Sequence, residues 1–396
     1  MTKEEYLALA SEKYDELQAL NKIDNFYDYE KEFEKLLKEL GRTLLEKNLS
    51  ELSADRRKKT LTKFGYIEIN NQHQFSNGIN GFQISPLLQE LLVYFAQLEC
   101  YEKCPEILEK TIGIEVGHSQ VHRVADTYGK ELEKTISTTR TLPPLKSEEV
   151  LYAEVDGSMI FTRDDDWKEV KVGRIFKSSD CIDPNGKASW IRHSQYLAYL
   201  GNSQSFTEKM DGLIESFGSI KQRLVFITDG ATWIRNWIED AFPDAISILD
   251  YFHVIEHLHE FIDSYFKEKE AAKKWAEKQK ELLLDSNVKQ VINNIEKLAP
   301  QNEAAKKLIA YYQANSSRMD YKKYKQIGCG IIGSGAIESA HRTVVQKRMK
   351  QSGQRWSSTG AQNMLNLRVT YMNEKWDNVI QLVKTSFRHT ILKQTG

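Results

Sequence analysis

The chain has 396 residues, of which 40% are hydrophobic and 28% are charged, and its formal net charge is −1. This length suits two or three domains with buried cores, and the composition is that of a globular protein. No stretch approaches the roughly 20 consecutive apolar residues of a membrane-spanning helix, so no membrane partner is expected. The N-terminal Met-Thr-Lys-Glu-Glu is not a secretory signal and the four cysteines form no CxxC framework, which predicts a cytoplasmic protein.

Charge is unevenly distributed along the chain. Between Glu338 and Gly396 there are ten Lys or Arg against three Asp or Glu, a local excess of +7. A basic C-terminal segment of this kind can bind DNA phosphates by releasing counterions. A solvated helix face is the other interpretation, and composition alone does not decide between them.

The N-terminal part of the chain divides into three regions. Residues 1–60 are charged, with Leu and Phe at helical spacing, and predict one or two amphipathic helices without visible chemistry. Residues 61–85 predict a linker or an irregular hairpin, with turn formers at 77–82. Residues 86–140 predict helices again. A proline-containing connector at 141–147 then predicts the main domain boundary.

The helical region at 86–140 matches a helix-turn-helix. Pro86 begins a first helix, Pro105 begins a short second helix, and Ser119 is predicted to cap a third. In the DNA-binding form of this motif, the first residues of the last helix read the major groove. An ordinary helical hairpin is the alternative. On the DNA-binding interpretation, the contacting residues are His118, Ser119, Gln120, His122 and Arg123.

From residue 148 to residue 396 we predict one catalytic domain. Its first half reads as three strands, a helix, a strand, a helix and a strand, with a turn at 183–187. This is the order of the RNase H-like fold, an α/β fold with a mixed five-stranded sheet, whose parallel strands are apolar throughout. An all-helical insertion is predicted at about 254–325. The predicted strands are Leu151–Val155, Glu169–Phe176, His193–Leu200, Arg223–Thr228 and Ala245–Asp250, and the helices are 205–217, capped by Ser205 or Thr207, and Ala231–Ala241.

Three carboxylates lie within or at the ends of these rigid elements. Asp156 follows the first strand, Asp229 ends the fourth, and Glu338 lies in the first turn of a late helix. Converging carboxylates can hold two Mg²⁺ or Mn²⁺ ions about 3.5–4 Å apart, an arrangement that cleaves and transfers phosphodiesters. Taken singly, both aspartates are also turn formers before Gly, and Glu338 is a helix-dipole partner. Glu154 shares a strand face with Asp156 and is a weaker candidate ligand.

Four stretches of the sequence carry the residues singled out above: Tyr152-Ala-Glu-Val-Asp156-Gly, Thr228-Asp229-Gly-Ala-Thr-Trp-Ile, Leu249-Asp250-Tyr-Phe-His253-Val and Gly333-Ser-Gly-Ala-Ile-Glu338-Ser-Ala. These stretches resemble the DDE transposases of bacterial insertion sequences, in particular the ISKra-type group, and more distantly Mutator-like transposases. The similarity covers roughly residues 86–370. Many members of that group carry a Cys-rich zinc-binding stretch before the helix-turn-helix, whereas residues 61–85 here contain no Cys.

The resemblance implies a function and a set of site residues. Asp156, Asp229 and Glu338 would form the catalytic triad on two Mg²⁺ or Mn²⁺ ions. Asp250 would be an accessory residue, and His253 would contact the scissile phosphate or a DNA strand, unless it is a histidine satisfied within the core. The residues expected to grip DNA near the site are Arg342, Lys347, Arg348, Lys350 and Arg355, with Trp356 either stacked on a base or packed in the core.

The implied partners are double-stranded DNA and further copies of the chain. The enzyme would bind the terminal inverted repeats of its element, cleave there with water, and join the 3′-hydroxyls to target DNA. Bringing two ends together requires a homodimer or a larger oligomer. Two other functions stay open: a repurposed, catalytically inactive DNA-binding protein, and an RNase H-like nuclease.

Overall fold

The computed structural model divides into two compact units, Met1–Lys134 with Lys375–Gly396, and Thr135–Glu374. The turns predicted at 77–82 and 183–187 fall wholly or largely outside the described residues, and so do positions 141, 142 and 144 of the predicted connector. The structure describes residues 1–50, 57–73, 75, 82–136, 143, 145–182, 190–218 and 223–392.

The first unit is helical apart from one antiparallel hairpin. That hairpin pairs Arg57 with Asn70 through Thr62 with Gly65, so part of the region predicted as a linker or hairpin is a regular hairpin. Gly65 has φ +106° in its tight turn, a backbone conformation that favours glycine. The elements of this unit are α1 (Lys3–Leu20), α2 (Phe26–Ser50), β1 (Arg57–Thr62), β2 (Gly65–Asn70), α3 (Pro86–Leu98), α4 (Cys104–Ile112), α5 (His118–Ile136) and α16 (Asp377–Leu392).

Helices α3, α4 and α5 follow the predicted boundaries closely, with one correction. Gly113 ends α4 in the left-handed conformation, at φ +57°. Helix α5 begins at His118, so Ser119 lies in its first turn and is not the N-cap. The reason is that the Gly117 carbonyl already accepts hydrogen bonds from the amides of Gln120 and Val121, which starts the helical turn earlier.

A buried polar network joins the helices of the first unit. The Tyr128 hydroxyl donates to Gln89 Oε1 over 2.6 Å, and Gln89 Nε2 donates to the Ile84 carbonyl over 2.6 Å. Both side chains are essentially inaccessible to solvent. The side chains of Tyr128 and Gln89 therefore both have hydrogen-bond partners, as burial in a low-dielectric core requires.

Replacing Tyr128 by Phe should lower the free energy of unfolding by about 1–3 kcal/mol, because Gln89 Oε1 would lose its donor inside the core. Urea denaturation of the purified protein measures this loss. Tyr66→Phe is the matched control, since Tyr66 is 50% exposed and should tolerate the change within about 0.5 kcal/mol. Equal stability of the Tyr128 and Tyr66 variants would show that the buried bond contributes nothing.

The second unit is built on a mixed five-stranded sheet, which confirms the predicted sheet and the α/β class. The strand order is β7-β4-β3-β8-β9. The pairs β3–β4 and β4–β7 are antiparallel, and β3–β8 and β8–β9 are parallel. The strands of the second unit are β3 (Leu151–Thr162), β4 (Asp166–Lys177), β5 (Cys181–Ile182), β6 (Trp190–Ile191), β7 (Gln195–Leu200), β8 (Leu224–Thr228) and β9 (Ile246–Leu249).

Helices cover both faces of this sheet. Side chains of β3 alternate, so Leu151, Ala153 and Val155 face α6 and α7, while Tyr152 packs in the cluster with the helices that follow β9. The predicted all-helical insertion is realised, although its first helix starts directly after Asp250. The helices are α6 (Ser203–Glu215), α7 (Thr232–Ala241), α8 (Tyr251–Tyr265), α9 (Lys269–Leu284), α10 (Val288–Leu298), α11 (Glu303–Asn315), α12 (Tyr321–Tyr324), α13 (Gly335–Ala340), α14 (Lys347–Met349) and α15 (Ser358–Met372).

Two local predictions in the second unit are wrong. Strand β3 does not end at Val155 but runs on to Thr162, because β4 pairs with it along its whole length. Helix α6 is capped by Asn202, whose side chain accepts from the Ser205 amide over 2.8 Å, and not by Ser205 or Thr207. Within the described residues, no helix is both long enough and apolar enough to cross a membrane.

Candidate active site

Three aspartates lie in a row at one edge of the sheet. The β3–β8 register pairs Glu154 with Ile227, so two residues further on Asp156 comes level with Asp229. The β8–β9 register pairs Thr228 with Leu249, so one residue further on Asp229 comes level with Asp250. Because β3, β8 and β9 are parallel, Asp229 and Asp250 follow the carboxyl ends of β8 and β9, and Asp156 lies level with them inside β3, just beyond the end of its pairing with β8.

Asp250 is the most buried member of the row. It is inaccessible to solvent and caps α8, where its Oδ1 accepts from the amides of Phe252 and Ser334, each over 2.9 Å. Its Oδ2 bonds to Nδ1 of His253. Burial opposes ionisation, but the hydrogen bonds from His253 and Ser334 outweigh it and lower the pKa of Asp250.

His253 places a positive charge beside the row. The hydrogen bond to Asp250 raises the pKa of His253 to about 9, and the negative charges of Asp229 and Asp156 add to this effect. The imidazolium is therefore the stable form near neutral pH. His253 is half-buried, so part of its side chain is accessible to a ligand.

Asp156 has a partner that the sequence did not reveal. Its Oδ1 accepts from the Gly157 amide over 2.7 Å, and its Oδ2 lies 3.2 Å from Nε2 of His341, a side chain only 5% exposed. Burial works against the Asp156 carboxylate, yet the bond and charge of His341 give a lowered pKa. His341 follows Glu338 by three residues, a helical spacing that places both on one face and was the available signal.

Asp229 and Glu338 are less enclosed. Asp229 Oδ1 accepts from the Ala231 amide over 2.9 Å in the turn between β8 and α7, and its carbonyl accepts from the Tyr311 hydroxyl over 3.1 Å. Glu338 is exposed in the first turn of α13, where the Ser334 hydroxyl donates to its Oε1 over 3.3 Å. Both carboxylates retain the capacity to accept further ligands.

A buried carboxyl group and a buried guanidinium hold the 336–337 peptide group, one residue before Glu338. Glu154 and Arg174 are direct cross-strand partners on β3 and β4. Glu154 Oε2 accepts from the Ile337 amide over 2.7 Å, and Arg174 Nη1 donates to the Ala336 carbonyl over 2.7 Å. These two atoms belong to one peptide unit, so the pair, which we call the peptide clamp, fixes both of its ends. Glu154 therefore positions α13, the helix that carries Glu338. Burial raises the pKa of the Glu154 carboxyl to about 8.

As a donor set, these carboxylates fit a divalent cation, since Mg²⁺ and Mn²⁺ prefer hard oxygen ligands. Asp156, Asp229 and Glu338, the ligands predicted from the sequence, each carry one such carboxylate. Across the described ranges, however, no three His, Cys, Asp or Glu side chains have already converged to metal-binding separations. Asp156 instead pairs with His341.

The predicted DNA-contacting residues near the site separate into two groups. Arg348 is fully buried, with its guanidinium 5.1 Å from the ring centre of Trp356, and is not available at a DNA surface. Trp356 is 6% exposed and donates to the Met349 carbonyl, which selects the core-packing alternative. Lys350 Nζ donates over 2.6 Å to Ser158 Oγ, two residues beyond Asp156 on β3. The exposed residues are Arg342, Lys347, Lys350 and Arg355.

At the start of α5, in the first unit, the predicted contact residues are accessible. His118, Ser119, His122 and Arg123 are exposed, and Gln120 is half-buried. The apolar face of the helix, with Val121 and Val124, lies in the core. The helix therefore presents its polar side outward, as either a recognition helix or an ordinary hairpin helix would.

Loss of one side of the peptide clamp should loosen α13. In Glu154→Ala, the Ile337 amide would lose its acceptor, so its hydrogen exchange should speed up by about tenfold or more and stability should fall by about 1–3 kcal/mol. Glu154→Gln is the matched control, because its amide oxygen can still accept. Hydrogen exchange read by mass spectrometry measures both, and unchanged Ile337 protection in Glu154→Ala would contradict the clamp.

The His253–Asp250 pair should make stability depend on pH. Because the folded pKa of about 9 lies above the ordinary value of 6.5, the pair stabilises fully below pH 6.5 and loses this contribution as pH rises through 9. The free energy of unfolding of wild type minus that of His253→Asn, measured in EDTA, should shrink across this window. His259→Asn on the same helix is the control, and a pH-independent difference for His253 would contradict the assignment.

The profile of one family, described as "Uncharacterised protein family (UPF0236)", matches residues 30–384. A similar protein is the "UPF0236 protein in vanSb 3'region" of Streptococcus gallolyticus, 23% identical over 309 residues. The alignment covers 73% of this chain and 64% of that relative, so the chain spans less than two thirds of the relative's length. Because the family match covers most of the sequence, the chain belongs to the uncharacterised protein family UPF0236.

Proposed function

We propose that this protein is a DDE transposase, of the ISKra-type group or close to it, that binds the terminal inverted repeats of its element and cleaves and joins DNA. The observation that carries the proposal is the row formed by Asp156 on β3 with Asp229 and Asp250, which follow the ends of the adjacent parallel strands β8 and β9, with the helix of Glu338 docked against it. Such a row gathers negative charge on a rigid edge, which suits metal-dependent phosphoryl transfer.

The topology supports an RNase H-like assignment for the second unit. Three antiparallel strands come first, and the fourth and fifth strands then lie parallel to the first, with α6 and α7 as the connections. In the RNase H-like fold the catalytic carboxylates come from the first strand, the end of the fourth strand and a late helix. Asp156, Asp229 and Glu338 occupy these three positions in the element order.

Asp156, Asp229 and Glu338 would hold two Mg²⁺ or Mn²⁺ ions, which supply activation of the attacking oxygen and stabilisation of the leaving oxygen of a phosphodiester. Asp250 orients His253 and keeps it protonated, so His253 can donate to a non-bridging phosphate oxygen. Both cleavage by water and joining by a 3′-hydroxyl are in-line displacements, for which no covalent enzyme intermediate is required.

The basic residues after Glu338 would hold the DNA backbone beside the row. Arg342, Lys347, Lys350 and Arg355 are exposed, and Lys350 reaches Ser158 close to Asp156. Arg348 leaves this set because it is buried against Trp356. Each phosphate contact adds salt-dependent affinity without sequence preference.

Recognition of the inverted repeats is assigned to α4 and α5 of the first unit. Ser119, Gln120, His122 and Arg123 are the residues proposed to contact DNA there. Two element ends have to be cut together, so the working form is a homodimer or larger oligomer acting on the nucleoid in the cytoplasm.

The decisive test is strand transfer with DNA taken from the borders of the gene, in Mg²⁺ or Mn²⁺. Asp156→Asn and Asp229→Asn should lower the rate by about 1,000-fold or more while leaving DNA affinity within about threefold. Asp164→Asn is the matched control, because this exposed hairpin carboxylate accepts from the Ser358 amide and from no other group among the residues that the structure describes.

Other outcomes distinguish the alternatives. Wild-type activity no higher than that of Asp156→Asn, with DNA binding intact, would identify a repurposed DNA-binding protein. Metal-dependent cleavage without joining would identify an RNase H-like nuclease. If the wild-type protein bound no DNA, the proposal would be wrong.

A further inference from the structure

Two thiols meet in the second unit, away from the aspartate row. Cys181 opens the short strand β5, and Cys329 lies 148 residues later in the loop between α12 and α13. Their Sγ atoms are 2.8 Å apart, and neither cysteine is in a disulfide. Both side chains are half-buried, so a small oxidant can reach them. Distant parts of the chain thus bring two sulfur atoms into direct contact.

The surroundings make the two thiols unequal. The hydrogen bond shared with Cys181 lowers the pKa of Cys329 against the opposing effect of burial, and the Tyr152 hydroxyl helps. The same hydrogen bond raises the pKa of Cys181. Cys329 is consequently the sulfur that forms a thiolate first and acts as the nucleophile.

We propose that Cys181 and Cys329 form a reversible disulfide under peroxide. The Cys329 thiolate attacks a peroxide oxygen, the O–O bond breaks, and the products are a Cys329 sulfenic acid and, after protonation, one water. The Cys181 sulfur then attacks the Cys329 sulfur, the S–O bond breaks, and the Cys181 proton leaves with the hydroxyl as a second water. Two thiols and one hydrogen peroxide thus give one disulfide and two waters, with two electrons passing from sulfur to oxygen.

The alternative roles for this pair are weaker. Two thiolates would need further ligands to hold zinc, and among the residues with described positions no third His, Cys, Asp or Glu joins them in a metal-binding group. Simple core packing does not call for sulfur-to-sulfur contact. A disulfide needs only that the sulfurs close to about 2.05 Å, a small further approach.

The Cys181–Cys329 disulfide would restrain the loop that leads from α12 into α13. This loop contains Gly328 and Gly330 at φ +54° and +73°, and a Cβ on Gly328 would lie 2.9 Å from the Tyr152 hydroxyl. The loop ends at Ser334, whose amide donates to Asp250. A link from Cys329 to β5 therefore restrains the approach of α13 to the aspartate row. The chemistry of the bond itself does not depend on the proposed transposase activity.

The test uses the full-length protein, reduced, desalted and then treated with hydrogen peroxide in slight excess. Free thiols counted after unfolding should fall from four to two, and peptide mapping should find the 181–329 link with loss of two hydrogens. The melting temperature should rise by about 5 °C or more and return on adding dithiothreitol. Hydrogen exchange in residues 325–334 should slow on oxidation.

Serine variants of single cysteines identify the two residues that form the link. Cys181→Ser and Cys329→Ser should each prevent the link, whereas the control Cys100→Ser should form it normally. Four free thiols remaining in the wild type, over-oxidation of Cys329 to sulfinic acid, or a link that maps to Cys100 and Cys104 or between chains would each overturn the proposal. The wild-type map decides the matter even if a serine variant fails to fold.

Discussion

The position of Glu338 depends on two buried side chains, Glu154 and Arg174, that hold a single peptide unit of α13. Helix α13 runs without a break into the π-helical residues 341–346 and α14, and a helical segment of this length is marginal by itself in water. Burying two such polar side chains is expensive unless they are hydrogen-bonded, and here the two ends of the 336–337 peptide supply one partner each. The cross-strand register of β3 and β4 sets the spacing between the two side chains. A rigid sheet thereby determines where a short, weakly autonomous helix lies.

The parallel half of the sheet creates an electrostatic problem that two histidines reduce. Asp156 on β3 lies level with Asp229 and Asp250, which follow the ends of β8 and β9, and neighbouring carboxylates repel when all are ionised. His253 is hydrogen-bonded to Asp250, and the negative charges of the other two aspartates also raise its pKa. His341 lies beside Asp156. In the free protein these two histidines reduce the repulsion among the carboxylates, so the fold tolerates a negatively charged row. The same negative row is what a divalent cation would bind, which is why an ion pair and a metal site can share these residues.

The sequence was most informative where local pattern decides structure. Apolar runs located the strands of the five-stranded sheet, and the Asp-Gly pair at Asp229 marked a strand end that the structure retains. It was least informative where burial depends on distant elements. Nothing local to Arg348 shows that it stacks on Trp356 inside the core, since Lys347 and Lys350 beside it are exposed. Likewise, the partner of Asp156 comes from a helix 185 positions along the chain, at His341, and such contacts appear only when the chain is folded.

Helix α13 is the element on which these features converge. Its N-terminal side is tied to Asp250 through Ser334, its middle to Glu154 and Arg174, and the π-helical turn that follows it to Asp156 through His341. These contacts join the helix to Asp250, to Asp156 and to the paired strands β3 and β4, so a displacement of α13 changes the surroundings of Asp156, Asp250 and Glu338 together. π-helical turns interrupt regular helix geometry and are frequent at functional sites, where they aim a side chain that an α-helix would turn away. Here the interruption begins at His341 itself, and the same helical segment therefore brings both Glu338 and the histidine beside Asp156 to one edge of the sheet.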